Sequence, residues 1–287
     1  HYLFGVVLQR WQKYDGALAA YERAYLMDPE QVAGLLAVGE MLVKLDREDE
    51  AIRRLKEKLV YFEHNAALRL SIARIHLKQR KLEEALSLFR EAYMLAPDDA
   101  MVLEQLAMAE YAGGAFSDAI FHLKRLMELP SLAGRRDLRL ALADCYEATE
   151  QPLKSRQIYM SLLRENGTDV NAWIRLGQVA YVVGDTRRLD EAAENVVALA
   201  PRRSEGHLLA GMSAWKAKQH HRAVAAFNQA ARLDPSSPLP HLMAGAMWEE
   251  AGQTDAAAKA YAQAVAADPD DERARELLAG LVGAQTP

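Results

Sequence analysis

The sequence predicts an all-α protein built as a solenoid of stacked helix pairs. Three observations carry this. Ala17, Ala51, Ala85 and Ala119 stand 34 residues apart, each early in a helix-like run after a polar turn. The spacing slips to 36 at Ser155, then returns to 34 through Leu189, Ala223 and Ala257. Twelve residues before each member lies a column of small residues: Gly5, Gly39, Ala73, Ala107, Ala143, Gly177, Gly211 and Gly245. A fixed period of this length marks a quasi-one-dimensional array, because one helix pair cannot bury its apolar face alone.

The period divides the chain into repeats at 1–31, 32–65, 66–99, 100–133, 136–169, 170–203, 204–237 and 238–271. In each, the small column marks the first helix. Glycine costs about 1 kcal/mol in a helix interior, so its recurrence predicts close approach of neighbouring backbones. The second helix carries a bulky residue four places after the first column: Tyr21, Leu55, Phe89, Leu123, Tyr159, Phe227 and Tyr261, with Ala193 the exception. These side chains are predicted to fill the space between the two helices. Pro29, Pro97, Pro201, Pro235 and Pro269 end the second helix, since proline lacks an N–H and disfavours helix in the residue before it. Segment 130–136 (PSLAGRR) holds the period slip and reads as a longer loop, with a hinge as the sharper alternative. Residues 272–284 read as a capping helix with Leu277, Leu278, Leu281 and Val282 on its apolar side, and Gly283 to Pro287 as a frayed tail. The chain opens with His1 rather than Met, inside a repeat, and so reads as part of a longer protein.

The columns together resemble the tetratricopeptide repeat family. Repeat seven reads Gly211, Ala223, Phe227, Ala230, Pro235; repeat eight reads Gly245, Ala257, Tyr261, Ala264, Pro269; repeat six opens on Trp173, Leu176 and Gly177. The resemblance implies an α-solenoid wound as a right-handed superhelix of eight helix–turn–helix repeats plus the cap. Departures at Lys58, Glu63, Ser155, Leu162, Gly167, Leu189 and Ala193 predict irregular packing rather than missing repeats.

Composition narrows the function. The chain holds 35 Lys and Arg against 40 Asp and Glu, a net charge of −5. That balance offers no basic patch for nucleic acid. No apolar run reaches the roughly 18 residues of a membrane span. Cys145 is the single cysteine and fits a buried small apolar position. No nucleophile, metal set or phosphate-binding glycine loop accompanies the acids, so neither enzyme chemistry nor a cofactor is expected. His220 and His221 read as an exposed turn, because adjacent side chains do not share a face and no carboxylate or Cys cluster completes a metal set.

In the family it resembles, positions 2, 5, 9 and 12 of the first helices line a concave groove. Carried over, that register selects Leu36 and Glu40 early in the chain, then Leu70, Arg74, Leu77 and Met101. The middle and late repeats supply the candidate partner-binding residues Glu104, Met108, Tyr111, Asp144, Glu147, Gln178, Tyr181, Met212, Trp215 and Glu249. Aromatic and Met side chains are enriched at interface centres, and Asp144 and Glu147, three apart, share a helix face. Tyr181 and Trp215 serve either groove or core. The expected function is a non-catalytic scaffold holding a protein or peptide segment with apolar anchors and some basic residues. A docking arm of a larger enzyme such as a transferase, and self-association of the array, are the alternatives. The Lys–Asn pair of a carboxylate clamp is missing, and Asn171 alone does not make an Asn ladder.

Overall fold

The computed structural model describes residues 1–283. Among them are seventeen α-helices and no strand. The first helices of the repeats are α1 (Tyr2–Arg10), α3 (Val32–Lys44), α5 (Ala66–Lys78), α7 (Ala100–Ala112), α9 (Arg136–Ala148), α11 (Val170–Val183), α13 (Ser204–Lys216) and α15 (Leu239–Glu250). The second helices are α2 (Tyr14–Met27), α4 (Glu48–Leu59), α6 (Leu82–Leu95), α8 (Phe116–Met127), α10 (Pro152–Glu165), α12 (Thr186–Leu199), α14 (His220–Leu233) and α16 (Thr254–Ala267). The cap is α17 (Glu272–Gly283); Ala284 to Pro287, the end of the expected cap and tail, lie outside the described residues. The chain divides into two compact units, His1–Cys145 and Tyr146–Pro287, with the boundary inside α9. The two-residue insertion falls earlier, in the turn at 128–135, where Leu132, Ala133 and Arg135 hydrogen-bond back along the loop.

The turn inside each repeat repeats as faithfully as the helices. Residues 12, 46, 80, 114, 150, 184, 218 and 252 all adopt positive φ, between 55° and 76°. The amide that follows each one reaches five residues back, as in Lys13 N–H to Leu8 O and Gln219 N–H to Ala214 O. This is the left-handed helix end that satisfies otherwise orphaned carbonyls. Three of these positions are glycine; Gln12, Asp46, Arg80, Glu150 and Lys218 are not, and for them the left-handed region is strained. Lys218→Gly is therefore expected to stabilise the C-terminal unit by about 0.5–1 kcal/mol, and Gly252→Ala to destabilise it by a similar amount. Paired thermal melts check both signs.

The prolines stand two residues after the helix end. Ala96 before Pro97 and Asp234 before Pro235 sit at φ −140° and −136°, outside the helical region that a following proline disfavours; Asn166, followed by Gly167, ends its helix at the similar φ of −139°. Aspartates and an asparagine start several helices: Asn65, Asp99, Asp169, Asp185 and Asp271 accept backbone N–H groups of the first turn.

Within each unit the core runs between the two helices of a repeat and on to the next repeat. Tyr21, Phe89, Tyr159, Phe227 and Tyr261 are among the largest fully buried side chains, and Leu55 and Leu123 complete their column. The glycine column has a different cause from the one the sequence suggested. A Cβ at Gly5 would sit 2.7 Å from the Tyr21 ring, and Gly211 and Gly245 lie likewise under Phe227 and Tyr261. These three glycines make room for a ring, and Gly39 and Gly177 for the side chains of Leu55 and Leu209, rather than for a backbone. Close backbone approach occurs instead at Gly34 and Gly206, where a Cβ would stand 3.3 Å from Tyr25 Cα and 3.2 Å from Val197 N. These begin a repeat's first helix and press on the second helix before it. The cap is held by Ala274, Leu277, Leu278 and Leu281, which pack with Leu242, Tyr261 and Ala264.

Cys145 is fully buried, and burial raises its thiol to about 11, so it is an inert packing residue. His220 and His221 open α14 instead of lying in a loop, because that helix starts immediately after the left-handed turn at Lys218. Among the described residues no group of metal-ligating side chains forms.

His76 is a buried imidazole whose Nδ1 finds no hydrogen-bond partner. Desolvation lowers its pKa from 6.5, helped by the cations Lys56 and Lys81 and opposed by Glu84. The unfolded ring then binds its proton at higher pH than the folded one, so protonation favours unfolding. Stability is expected to fall as pH drops below about 6.5 towards the depressed folded value. His76→Leu flattens that slope if melting temperatures are followed from neutral to mildly acidic pH; an unchanged slope rejects the assignment.

Candidate functional site

In the N-terminal unit the first helices form a groove of about 710 Å³. α1 supplies Tyr2, Val6 and Gln9; α3 supplies Leu36, Glu40 and Val43; α5 supplies Leu70 and Arg74; α7 supplies Met101. These are positions 2, 5, 9 and 12 of four successive repeats, so the helical period itself sets them on one side. Tyr21 reaches in from α2, its ring 5.2 Å from that of Tyr2. Its hydroxyl donates to Gln9 Oε1 at 2.6 Å, and Gln9 Nε2 donates to Glu40 Oε1 at 2.8 Å. Burial, then Tyr2 and Glu40, raise the Tyr21 pKa, so the hydroxyl stays a neutral donor. The result is an apolar floor with one polar chain at its side and the exposed cations Lys44 and Arg74 near it. Leu36, Glu40, Leu70, Arg74 and Met101 were selected by register; the α1 contribution was not, since that repeat lacks its opening residues.

Further along this unit, Glu104, Met108, Tyr111 and Asp144 are all half-buried. Their charges are already engaged. Arg135, from the inserted loop, donates to Glu104 Oε2 at 2.7 Å and also pairs with Asp137; both raise its pKa. The Tyr111 hydroxyl donates to Asp144 Oδ2 at 2.9 Å.

In the C-terminal unit Glu147 accepts the Tyr159 hydroxyl at 2.6 Å, and Glu249 accepts the Tyr261 hydroxyl at 2.8 Å. Both rings belong to the bulky column, so these two acids serve as internal acceptors for buried tyrosines. Burial first, then the adjacent carboxylate, pushes both phenols well above their ordinary value. Arg175 Nη2 lies 3.7 Å from Glu147. Gln178 is exposed and borders a small pocket with Glu147, Glu150, Pro152, Val179 and Val182. Met212 is buried and belongs to the core side of α13.

Tyr181 and Trp215 come together half-buried, ring centroids 6.2 Å apart at 44°. Lys216 Nζ stands 4.7 Å from the Tyr181 centroid and 6.0 Å from that of Trp215. Trp215 Nε1 donates to Glu250 Oε2 at 2.8 Å. Sequence reasoning selected the two rings but not Lys216 or Glu250. Both occupy the position after the selected one, and the same offset in α11 holds the exposed Val182. That shared offset was a readable signal.

The tetratricopeptide repeat family matches residues 2–58, 42–100, 70–129 and 174–238 by one family model and 214–281 by another. The chain belongs to the tetratricopeptide repeat family. The stretch left between, 130–173, contains the insertion and the departures of repeat five, and it still forms the helices α9 and α10. No curated protein matches the chain. Among solved structures it is similar to a chain of the Naa15/Naa10 assembly bound to HypK-THB, at 15% identity and TM-score 0.60, covering 98% of this chain and 44% of that one. A chain of the APC/C hetero-tetramer Cut9–Hcn1 gives 16% identity and TM-score 0.52, covering 94% and 52%. A tetratricopeptide repeat protein from Parabacteroides merdae gives 13% and 0.50, covering 97% and 96%. The chain spans about half the length of the first two, and at these identities the likeness is one of fold. No helix among the described residues is long and apolar enough to cross a membrane.

Proposed function

We propose that the protein is a non-catalytic interaction scaffold whose first-helix surfaces hold segments of a partner protein. Tetratricopeptide repeats are protein-interaction repeats, and the family membership supports that coarse reading directly. The single observation that supports the finer one is the N-terminal groove. Four consecutive first helices turn Tyr2, Val6, Leu36, Val43, Leu70 and Met101 towards one open apolar floor, with Lys44 and Arg74 beside it. A floor of this kind takes an extended or helical segment by its apolar side chains, with polar groups at the rim fixing direction. In the C-terminal unit the proposed contacts are Gln178, Tyr181 and Trp215. Glu104, Asp144, Glu147 and Glu249 are proposed to hold those surfaces in shape, because each already has an internal partner.

The test uses Val6→Asp with Leu36→Asp. Both side chains are partly exposed and also pack against the core, so the pair is expected to keep its helicity at a somewhat lower melting temperature, and capture is compared below both melting points. Proteins captured from the source lysate by the wild-type chain and cross-linked to the α3 region are expected to fall at least about tenfold in the variant, the loss of one or two interface anchors. Retention of the same cross-links in a folded variant would reject the groove.

A further inference from the structure

We propose that Tyr181, Trp215 and Glu250 form a receptor for a lysine side chain of the partner segment, and that Lys216 occupies it as an internal stand-in. The inference rests on the scaffold reading and names the chemistry of one of its contacts. Three consecutive first helices build the site. α11 brings Tyr181, α13 brings Trp215, and α15 brings Glu250. The two rings lie 6.2 Å apart, tilted at 44°, and a single ammonium reaches both. An ammonium ion is drawn to aromatic faces by their quadrupole. Lys216 Nζ is at that place now, 4.7 Å from one centroid and 6.0 Å from the other. Glu250 adds the counter-charge: its carboxylate accepts from Trp215 Nε1 at 2.8 Å and lies near enough to help raise the Tyr181 pKa, after burial.

The stand-in is displaceable. Lys216 is the exposed last residue of its helix on a flexible four-carbon stem, and the contact is of the exposed kind that contributes little. The acid and the rings, by contrast, are fixed by helices and by the indole hydrogen bond. An entering lysine exchanges one ammonium for another over the same rings, and Lys216 moves into solvent. No carboxylate among the sequence-selected acids of this unit offers the same service, since Glu147 and Glu249 hold tyrosine hydroxyls. Val182, 73% exposed beside Tyr181, gives the lysine stem or its neighbour an apolar rest.

The experiment follows the indole N–H resonance of Trp215 in the full chain, assigned by its loss in Trp215→Phe. The probe is an acetylated, amidated pentapeptide with one lysine among alanines, titrated against the same peptide carrying norleucine. The lysine peptide is expected to shift the resonance saturably and the norleucine peptide not to. Lys216→Met is expected to tighten the lysine peptide about two- to fivefold, the value of one exposed cation–aromatic contact removed from competition. Tyr181→Leu, with unchanged helicity, is expected to abolish the shift. Equal shifts from both peptides, or no tightening in Lys216→Met, overturn the proposal. That outcome leaves the scaffold reading standing if Val6→Asp with Leu36→Asp still loses its cross-links. Retained cross-links together with a lysine-specific shift would reject the N-terminal groove and keep this site.

Discussion

Replacement of His122 by alanine is expected to destabilise the N-terminal unit by about 3–5 kcal/mol. His122 on α8 and Glu110 on α7 meet through Nδ1 and Oε2 at 2.6 Å, with side chains 11% and 2% exposed. Removing the imidazole leaves a carboxylate in a place that water barely reaches. Burying a charge without its partner costs far more than the pair contributes when intact. The ring also packs edge-on against Tyr93 and Phe121, centroids 4.9 and 5.1 Å away, so alanine loses apolar contact as well. The control is Glu110→Leu with His122→Phe. That double variant removes both polar groups and keeps the volume, and it is expected to recover most of the loss. Urea unfolding of the three proteins checks the order. A double variant no more stable than His122→Ala would mean that the packing, not the stranded carboxylate, carries the effect.

The same pair shows what the sequence could and could not disclose. Helix order and the eight repeats were legible because a 34-residue period recurs in several columns at once, and each column has one physical job. The identity of the pair was not legible. Glu110 takes a place that Leu42, His76, Tyr146 and Trp248 take in other repeats. Nothing in the period says that a charge there is buried rather than solvated. The internal partners of the candidate acids were not legible for a related reason. Glu147 and Glu249 are correctly placed by register, yet each accepts a hydroxyl from a buried tyrosine twelve residues on. That contact is set by the crossing of two helices, which a one-helix register omits. The spacing was visible: Gln9 and Tyr21 repeat it. Glu104 was likewise claimed by Arg135, a residue of the insertion that the period excludes. Tyr181 and Trp215 came together as their shared register implies, while Lys216 and Glu250 required three helices to be placed at once.

Repeat six supplies the sharpest test of the column logic. Its bulky position is Ala193, so no ring covers Gly177. Leu209, from the first helix of the next repeat, does so instead: a Cβ at Gly177 would meet its Cδ1 at 2.7 Å and Cδ2 at 2.9 Å. Leu209 is almost fully buried, and its truncation to alanine is expected to cost about 2–5 kcal/mol in lost transfer energy and cavity. The vacated space is the one that Tyr21, Phe227 and Tyr261 fill over Gly5, Gly211 and Gly245. Ala193→Phe in the Leu209→Ala background is therefore expected to regain about 1–2 kcal/mol by filling the cavity from the usual side. Ala193→Phe alone should destabilise by about 1–3 kcal/mol, because the ring and Leu209 compete for one volume. The sign reversal between backgrounds is the diagnostic, and a thermodynamic cycle from chemical unfolding of the four proteins measures it. Additive losses would show that the glycine column accommodates whatever neighbour is nearest. A reversal would show that one pocket per repeat, with two possible donors, fixes how successive helix pairs of this unit stack. That stacking carries Trp215 on α13 to its distance from Tyr181 on α11, so the same cycle run with the Trp215 indole resonance as readout links the core of repeat six to the surface above it.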